Sequence, residues 1–221
     1  MGGQETSSRD GDGLRRVLAL GAHPDDLELG CGATLAKLAA RGIEIHAMVF
    51  TRGGAGGAGG AGGAKGHDRT AETRAGLALL GVHNVIQHDF ADTRLHQSLN
   101  EIIAAIEAAV AKVCPDRVYT MFERDRHQDH RTLYEASAVA CRRVPQILGY
   151  ETPSSYPNFQ PTMFEPIAPF LERKVAALKL HASQEHRFYM DEEKVRAAAH
   201  FRGAQVDLEP SEGFMPYKLV M

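Results

Sequence analysis

What most limits the folds open to this chain is an alternation that runs through its first 150 residues: short apolar runs, each followed by a stretch of helical spacing. Arg16 to Gly21 (RVLALG) is the first such run, and it stops at a turn-like stretch, as a buried parallel strand does when it ends in a loop. From Gly30 the spacing of Leu35, Leu38 and Ala39 is helical, Gly42 offers a stop, and Ile43 to Phe50 reads as a second strand. The pattern goes on to predict a helix around Asp68 to Leu80, a strand at Asn84 to His88 and a helix at Ser98 to Val113. A strand at Arg117 to Phe122, a helix at Arg131 to Arg143 and a strand at Gln146 to Tyr150 follow. Strands alternating with helices imply an α/β, Rossmann-like fold, an open and mostly parallel sheet with helices on both faces. A Pro-rich stretch from Pro153 to Pro169 breaks the rhythm, an amphipathic helix is expected at Leu171 to Ser183, and the remainder reads as a C-terminal elaboration.

A chain of 221 residues can bury one substantial core, so residues 14–221 are read as a single domain. Met1 to Gly13 are polar, without an apolar core or a small-residue cleavage site, and read as a disordered lead-in rather than a signal peptide. Gly53 to Gly66 (GGAGGAGGAGGAKG) should be flexible, because glycine loses most backbone entropy on ordering. It is read either as a neutral loop expansion or as a flap, since loops after parallel strands sit at the sheet edge where ligands bind.

The formal charge of −3, with no Lys/Arg cluster, leaves no electrostatic footprint for nucleic acid or an anionic membrane, and no apolar run reaches spanning length. A small-molecule partner is expected. Cys31, Cys114 and Cys141 are scattered without a CxxC pair, which suits a reducing compartment, and a cytoplasmic location is the default reading.

Two clusters carry chemistry. Ala22-His23-Pro24-Asp25-Asp26 closes the first strand, and His127-Gln128-Asp129-His130 follows the strand Arg117 to Phe122 by a few residues, so a parallel sheet delivers both to one edge. Two histidines and a carboxylate, with water completing the shell, make the ligand set of a catalytic zinc site with one open position. The candidate ligands are His23, Asp26 and His130. Asp25 is then free to take a proton from the bound water, and His127 to stabilise an oxyanion or protonate a leaving amine. Asp129 would accept a hydrogen bond that orients a histidine. Either motif alone could be structural: HPDD as a turn, HxDH as a helix start capped by Asp129. Their meeting at matching strand ends favours chemistry.

These two motifs give the chain its resemblance to the PIG-L or LmbE-like family of zinc-dependent de-N-acetylases, from about Arg16 to the C-terminal region. Ala22 to Asp26 match the family's AHPDD segment, Gly30 and Gly32 its glycine-rich turn, and His127, Asp129 and His130 its HxDH signature. The resemblance implies zinc on His23, Asp26 and His130, Asp25 as general base and His127 in acid or oxyanion duties. It further implies an N-acetylated amino sugar or glycoconjugate as substrate, and admits a homo-oligomer with contacts from Pro153 to Pro169. Arg74 resembles a family arginine that contacts substrate, Asp92-Thr93-Arg94 a loop near the pocket, and His181 to Gln184 an HxSQ segment of the pocket or scaffold. The Gly/Ala repeat departs from the usual shorter segment.

Gly30 to Leu35 (GCGATL) is not a dinucleotide fingerprint, because the glycine spacing is incomplete and the second strand lacks the acidic residue expected for a ribose. Cys31 reads as a small buried filler. Three alternatives stay open: hydrolysis of a different small amide, use of Fe2+ or Co2+ by the same ligands, and a catalytically silent carbohydrate-binding domain on the same fold.

Overall fold

The computed structural model describes residues 13–54 and 68–220. Nearly all of the lead-in and of the Gly/Ala repeat therefore lies outside the described residues. The chain runs β1 (Arg16–Gly21), α1 (Asp26–Ala40), β2 (Glu44–Thr51), α2 (Thr70–Leu79), β3 (Asn84–Phe90), α3 (Leu99–Val113) and β4 (Arg117–Met121). It continues through α4 (Gln128–Ala140), β5 (Gln146–Tyr150), β6 (Met163–Pro166), α5 (Leu171–Lys179), α6 (Glu192–Ala204) and β7 (Ser211–Leu219).

One seven-stranded sheet has the order β3-β2-β1-β4-β5-β7-β6. The five strands from β3 to β5 pair in parallel, whereas β7 pairs antiparallel with both β5 and β6. Right-handed crossovers explain the layers. From β1 the chain steps outward to β2 and β3, which sets α1 and α2 on one face. It then returns past β1 to β4 and β5, which sets α3 and α4 on the other. The contacts agree, since α5 packs against α1 and α2 while α3 packs against α4. The expected open α/β sheet is thus borne out, with β7 and α6 as the elaboration. Where the strand order reverses, between β1 and β4, the loops at their carboxyl ends diverge and leave a crevice.

β1 and β4 are buried along nearly their whole length, which is why both read as continuous apolar runs. One buried cluster joins them: Leu18, Leu20 and Tyr119 of these strands pack with Leu35 of α1, Leu133 of α4 and Phe214 of β7. No helix among the described residues is long and apolar enough to cross a membrane.

Two helices start earlier than their apolar spacing predicts. Instead of beginning at Gly30, α1 begins inside the first motif, with Asp25 at its N-cap and the Leu29 N–H donating to the Asp25 carbonyl at 2.9 Å. The expected glycine turn is a kink within that helix, at Cys31 (φ −141°, ψ 16°). Gly30 is needed there because a Cβ would lie 2.0 Å from the Tyr150 ring. The N–H groups of Ala33 and Thr34, near the kink, donate to the Glu212 carboxylate from β7 at 3.1 and 2.7 Å. α4 begins at Gln128 rather than Arg131, because His127 is itself the cap and its Nδ1 accepts from the Asp129 N–H at 3.2 Å. The helix expected to reach Ser183 ends at Lys179, and a separate 3-10 turn covers Ala182–Gln184.

Candidate active site

The turn after β1 is short because Pro24 stiffens it and Asp26 closes it, the His23 backbone N–H donating to Asp26 Oδ2 at 2.6 Å. Closing it puts Asp25 in the left-handed region, at φ 94°. Backbone of this kind costs about 1–3 kcal/mol and persists where its surroundings over-determine it.

His23 and His130 converge from the ends of β1 and β4. His23 Nδ1 and His130 Nε2 stand 3.2 Å apart, and the Asp26 carboxylate lies 3.4 Å from the first and 3.3 Å from the second. Donors about 2.0–2.1 Å from a tetrahedral ion stand roughly 3.3–3.4 Å from one another, so two imidazole nitrogens and one carboxylate are spaced to share a small divalent cation.

The remaining ring nitrogens face acceptors. His23 Nε2 lies 3.1 Å from Asp129 Oδ2 and 3.2 Å from Asp92 Oδ1, and His130 Nδ1 lies 3.1 Å from Asp125 Oδ2. Carboxylates accept only, so a neutral ring that keeps its proton on that side presents His23 Nδ1 or His130 Nε2 as a lone-pair donor to a cation. Asp129 is fixed in turn by the N–H groups of Thr93 (2.7 Å) and Leu95 (3.1 Å).

Two other groups also bring donor atoms within 4.8 Å, namely His23 with His127 and His130, and His23 with Asp92 and Asp129. In the first, His127 Nδ1 is already committed to capping α4. In the second, Asp129 accepts two backbone hydrogen bonds. Asp26 alone lies beside a ring nitrogen of each of two histidines, and it is the better third donor.

The electrostatics call for positive charge. Burial disfavours charge on His23, but hydrogen bonds with Asp129, Asp26 and Asp92 outweigh it and hold the imidazole well above its ordinary range. Burial is likewise overcome at His130, where Asp26 and Asp125 raise it to about 9. Burial would lift Asp26, yet His130 and His23 pull it well below the carboxylate range. Asp25 behaves differently: burial raises it to about 6, against the pull of the Arg69 guanidinium, whose Nη1 donates to Asp25 Oδ2 at 2.9 Å. A carboxyl near neutrality suits a general base. Burial and the charges of His23 and His130 lower His127. Because its Nδ1 accepts a hydrogen bond, the neutral ring carries its proton on Nε2, as a donor.

These groups line a cavity of about 400 Å³ whose wall includes His23, Asp25, Asp26, Arg69, His127 and His130. Asp92 is also on the wall, while Asp129 lies fully buried behind it. Arg74, expected against substrate, is exposed on α2 and absent from the wall. One helical turn and more separates it from Arg69, the arginine that does reach Asp25. His181, also expected at the substrate, is 1% exposed and bonds Glu28 at 3.0 Å behind the site rather than in it. Gln184, three residues onward, does line the cavity.

Arg69 and Asp125 were not anticipated from sequence. Arg69 stands three residues past the Gly/Ala repeat, at the very start of the expected helix, where nothing in the local sequence marks a functional arginine. Asp125 stands in an ordinary-looking acidic and basic run (Glu123 to Arg126), and only its distance of two residues from His127 hinted at a role.

A family model described as PIG-L, GlcNAc-PI de-N-acetylase, matches residues 18–141. A protein of Escherichia coli (strain K12) named uncharacterized deacetylase YaiS is 50% identical over 173 residues, covering 76% of this chain and 90% of that protein. Diacetylchitobiose deacetylase of Thermococcus kodakarensis is 28% identical over 191 residues, covering 77% of this chain and 70% of that protein. Among solved structures, GalB, the 4-carboxy-2-hydroxymuconate hydratase of Pseudomonas putida KT2440, superposes with a TM-score of 0.81 at 19% identity, covering 94% and 98% of the two chains. That likeness concerns the fold alone, and it shows one fold hosting more than one reaction.

Proposed function

Because this chain belongs to the PIG-L family of de-N-acetylases, we propose that it hydrolyses the N-acetyl group of an amino sugar or glycoconjugate, with zinc held by His23, Asp26 and His130. One observation carries the reading: His23 Nδ1, His130 Nε2 and the Asp26 carboxylate lie 3.2–3.4 Å apart, with the Asp25 carboxyl beside them. An amino sugar is supported by the 28% identical relative that is named for diacetylchitobiose.

A zinc ion bound there supplies Lewis-acid polarisation of the acetyl carbonyl and lowers the pKa of water; Fe2+ or Co2+ would suit the same donors. The chain's own groups do the rest. Asp25 takes a proton from the attacking water as its oxygen bonds the carbonyl carbon. His127 Nε2–H donates to the oxygen on which negative charge develops. The C–N bond breaks, the proton held by Asp25 passes to the leaving nitrogen, and acetate and a free amine result. Arg69 keeps Asp25 aimed, while Asp129 and Asp125 hold the two imidazoles in their ligating orientation. Asp92, on the wall beside His23, is positioned to meet a polar group of the substrate. A cytoplasmic location remains the reading for an enzyme of this kind.

The test is acetate release from methyl N-acetylglucosaminide together with metal content by mass spectrometry. Native protein should carry about one zinc per chain and release acetate. Asp25→Asn, which tolerates the left-handed backbone, should keep the metal and lose about 10²–10⁴-fold in kcat, and His130→Ala should lose the metal. A native protein that binds no divalent metal would sink the proposal.

A further inference from the structure

Beside the catalytic cavity lies a second one, of about 330 Å³, between α1, α6 and β7. The two share the wall residues Leu29, Thr152, Pro153 and Tyr189, so whatever occupies one adjoins the other. Their chemistry differs. The first is ringed by histidines and carboxylates, whereas the second is faced by Phe188, Val195, Ala198 and Ala199.

Charged residues stand in that wall too, but each is answered within the protein. Lys174 Nζ pairs with Glu212 at 2.7 Å, and Arg202 donates twice to Glu151, both at 2.6 Å. Lys194 pairs with Asp191 at 3.0 Å, and its ammonium lies 3.7 Å from the centre of the Phe188 ring. An ionic ligand would have to displace one of these partners. An uncharged apolar group would not, and it would cover the Phe188 ring, which is 79% exposed. The volume falls within the usual range for small-molecule pockets, about 300–1,000 Å³.

We propose that this cavity is a second subsite of the same reaction, receiving an uncharged alkyl or aryl substituent of the substrate while its amide lies among His23, Asp25 and His130. The inference rests on the deacetylase reading for what the substrate is, and on the shared wall for why one molecule spans both cavities. An apolar substituent can reach the subsite from either end of the substrate, as an aglycone or as a longer acyl chain.

The full-length Asp25→Asn protein, which holds substrate without turning it over, is titrated by calorimetry with three compounds. These are methyl N-acetylglucosaminide, its hexyl glycoside counterpart, and the methyl glycoside carrying N-hexanoyl in place of N-acetyl. At least one hexyl-bearing compound should bind tenfold or more tightly than the methyl N-acetyl compound, and the arm that gains identifies the end that extends. Adding Ala198→Trp, on the exposed side of α6, should fill the subsite and bring the ratio to within twofold. Adding Phe188→Ala should lower the ratio as well, and it carries the test if the tryptophan variant does not fold. The proposal is overturned if neither compound gains tenfold, or if the gain survives both folded variants. Acetate release by native protein, measured alongside, judges the deacetylase reading separately. Release without a binding gain removes the subsite alone, and a gain without release removes the reaction and leaves a binding site.

Discussion

Asp125 accepts hydrogen bonds from the His127 N–H (2.8 Å), Ser154 Oγ (2.6 Å), Thr152 Oγ1 (2.8 Å) and Ser155 Oγ (3.1 Å) while it faces His130 Nδ1. Burial would raise its carboxyl, but His130, Ser154 and the His127 N–H bring it down to about 2. It is ionised throughout the working range, and its charge fixes which nitrogen of His130 bears the proton. Removing such a partner typically costs 10–100-fold in metal affinity. Asp125→Ala should therefore weaken zinc binding by about that factor in a competitive chelator titration; an unchanged affinity would mean His130 needs no such support. Deeper in, the buried pair of His181 and Glu28 makes stability depend on pH. Burial lowers His181, but Glu28 more than compensates and leaves it above its ordinary value of 6.5. A raised folded-state pKa stabilises fully below about 6.5 and loses that contribution as pH climbs through the folded value. The stability gap between native protein and a Glu28→Gln, His181→Gln double variant, in which neither group ionises, should narrow between pH 6 and pH 9 in urea titrations. A gap that widens over this range would contradict the pairing. At this scale the candidate site was legible, since His23, Asp25, Asp26, His127 and His130 stand in compact motifs. The residues that hold them in place were less so: Asp125 acts through tertiary contacts with residues 152–155, which no local spacing encodes. Arg74 was expected at the substrate from its resemblance to a family arginine, yet α2 turns it to solvent.

At the scale of elements, α1 joins site to sheet. Its kink at Cys31 frees backbone donors in mid-helix, and Glu212 of β7 answers those of Ala33 and Thr34 while also pairing Lys174. Glu212→Ala would strand both amides and leave a buried ammonium without its partner. Breaking a buried pair from one side costs about 3–5 kcal/mol. For a chain of this size each kcal/mol moves the Tm by about 2–4 °C, so a fall of roughly 6–20 °C is expected in a thermal melt. A fall under about 2 °C would mean that β7 is not tied to α1 in this way. Helical and strand periodicity located every element through β5 to within a few residues, because each buries a regular face. The starts of α1 and α4 were misjudged by the same logic: their first turns carry the site residues Asp26, Asp129 and His130, which interrupt the apolar spacing that marks a helix. β7 escaped notice because its partners, β5 and β6, are distant in sequence and its direction departs from the parallel rule.

For the molecule as a whole, the strand order concentrates acidic charge at one place. Asp25, Asp26, Asp92, Asp125 and Asp129 gather around two histidines where the order reverses between β1 and β4, and a bound cation would relieve their mutual repulsion. A ligand present at 100 times its Kd stabilises the fold by about 2.7 kcal/mol. Chelation should then lower the Tm by roughly 5–10 °C, and zinc should restore it; a Tm indifferent to both would argue against a resident cation. That both motifs share one sheet edge could be read from strand alternation alone, whereas the apolar cavity beside them could not, since α6 and β7 bring its wall together from the far end of the chain. The insertion of β7 between β5 and β6 also bears on how the protein is made. A ribosome delivers residues in order, so β5 must wait for the last strand of the described chain before its outer edge is paired, a matter of seconds at about 5–20 residues per second. Until then an apolar strand (QILGY) offers open hydrogen-bonding groups to any neighbouring chain. The nascent protein thus carries its aggregation hazard in what becomes the interior of the finished sheet, not at its rim.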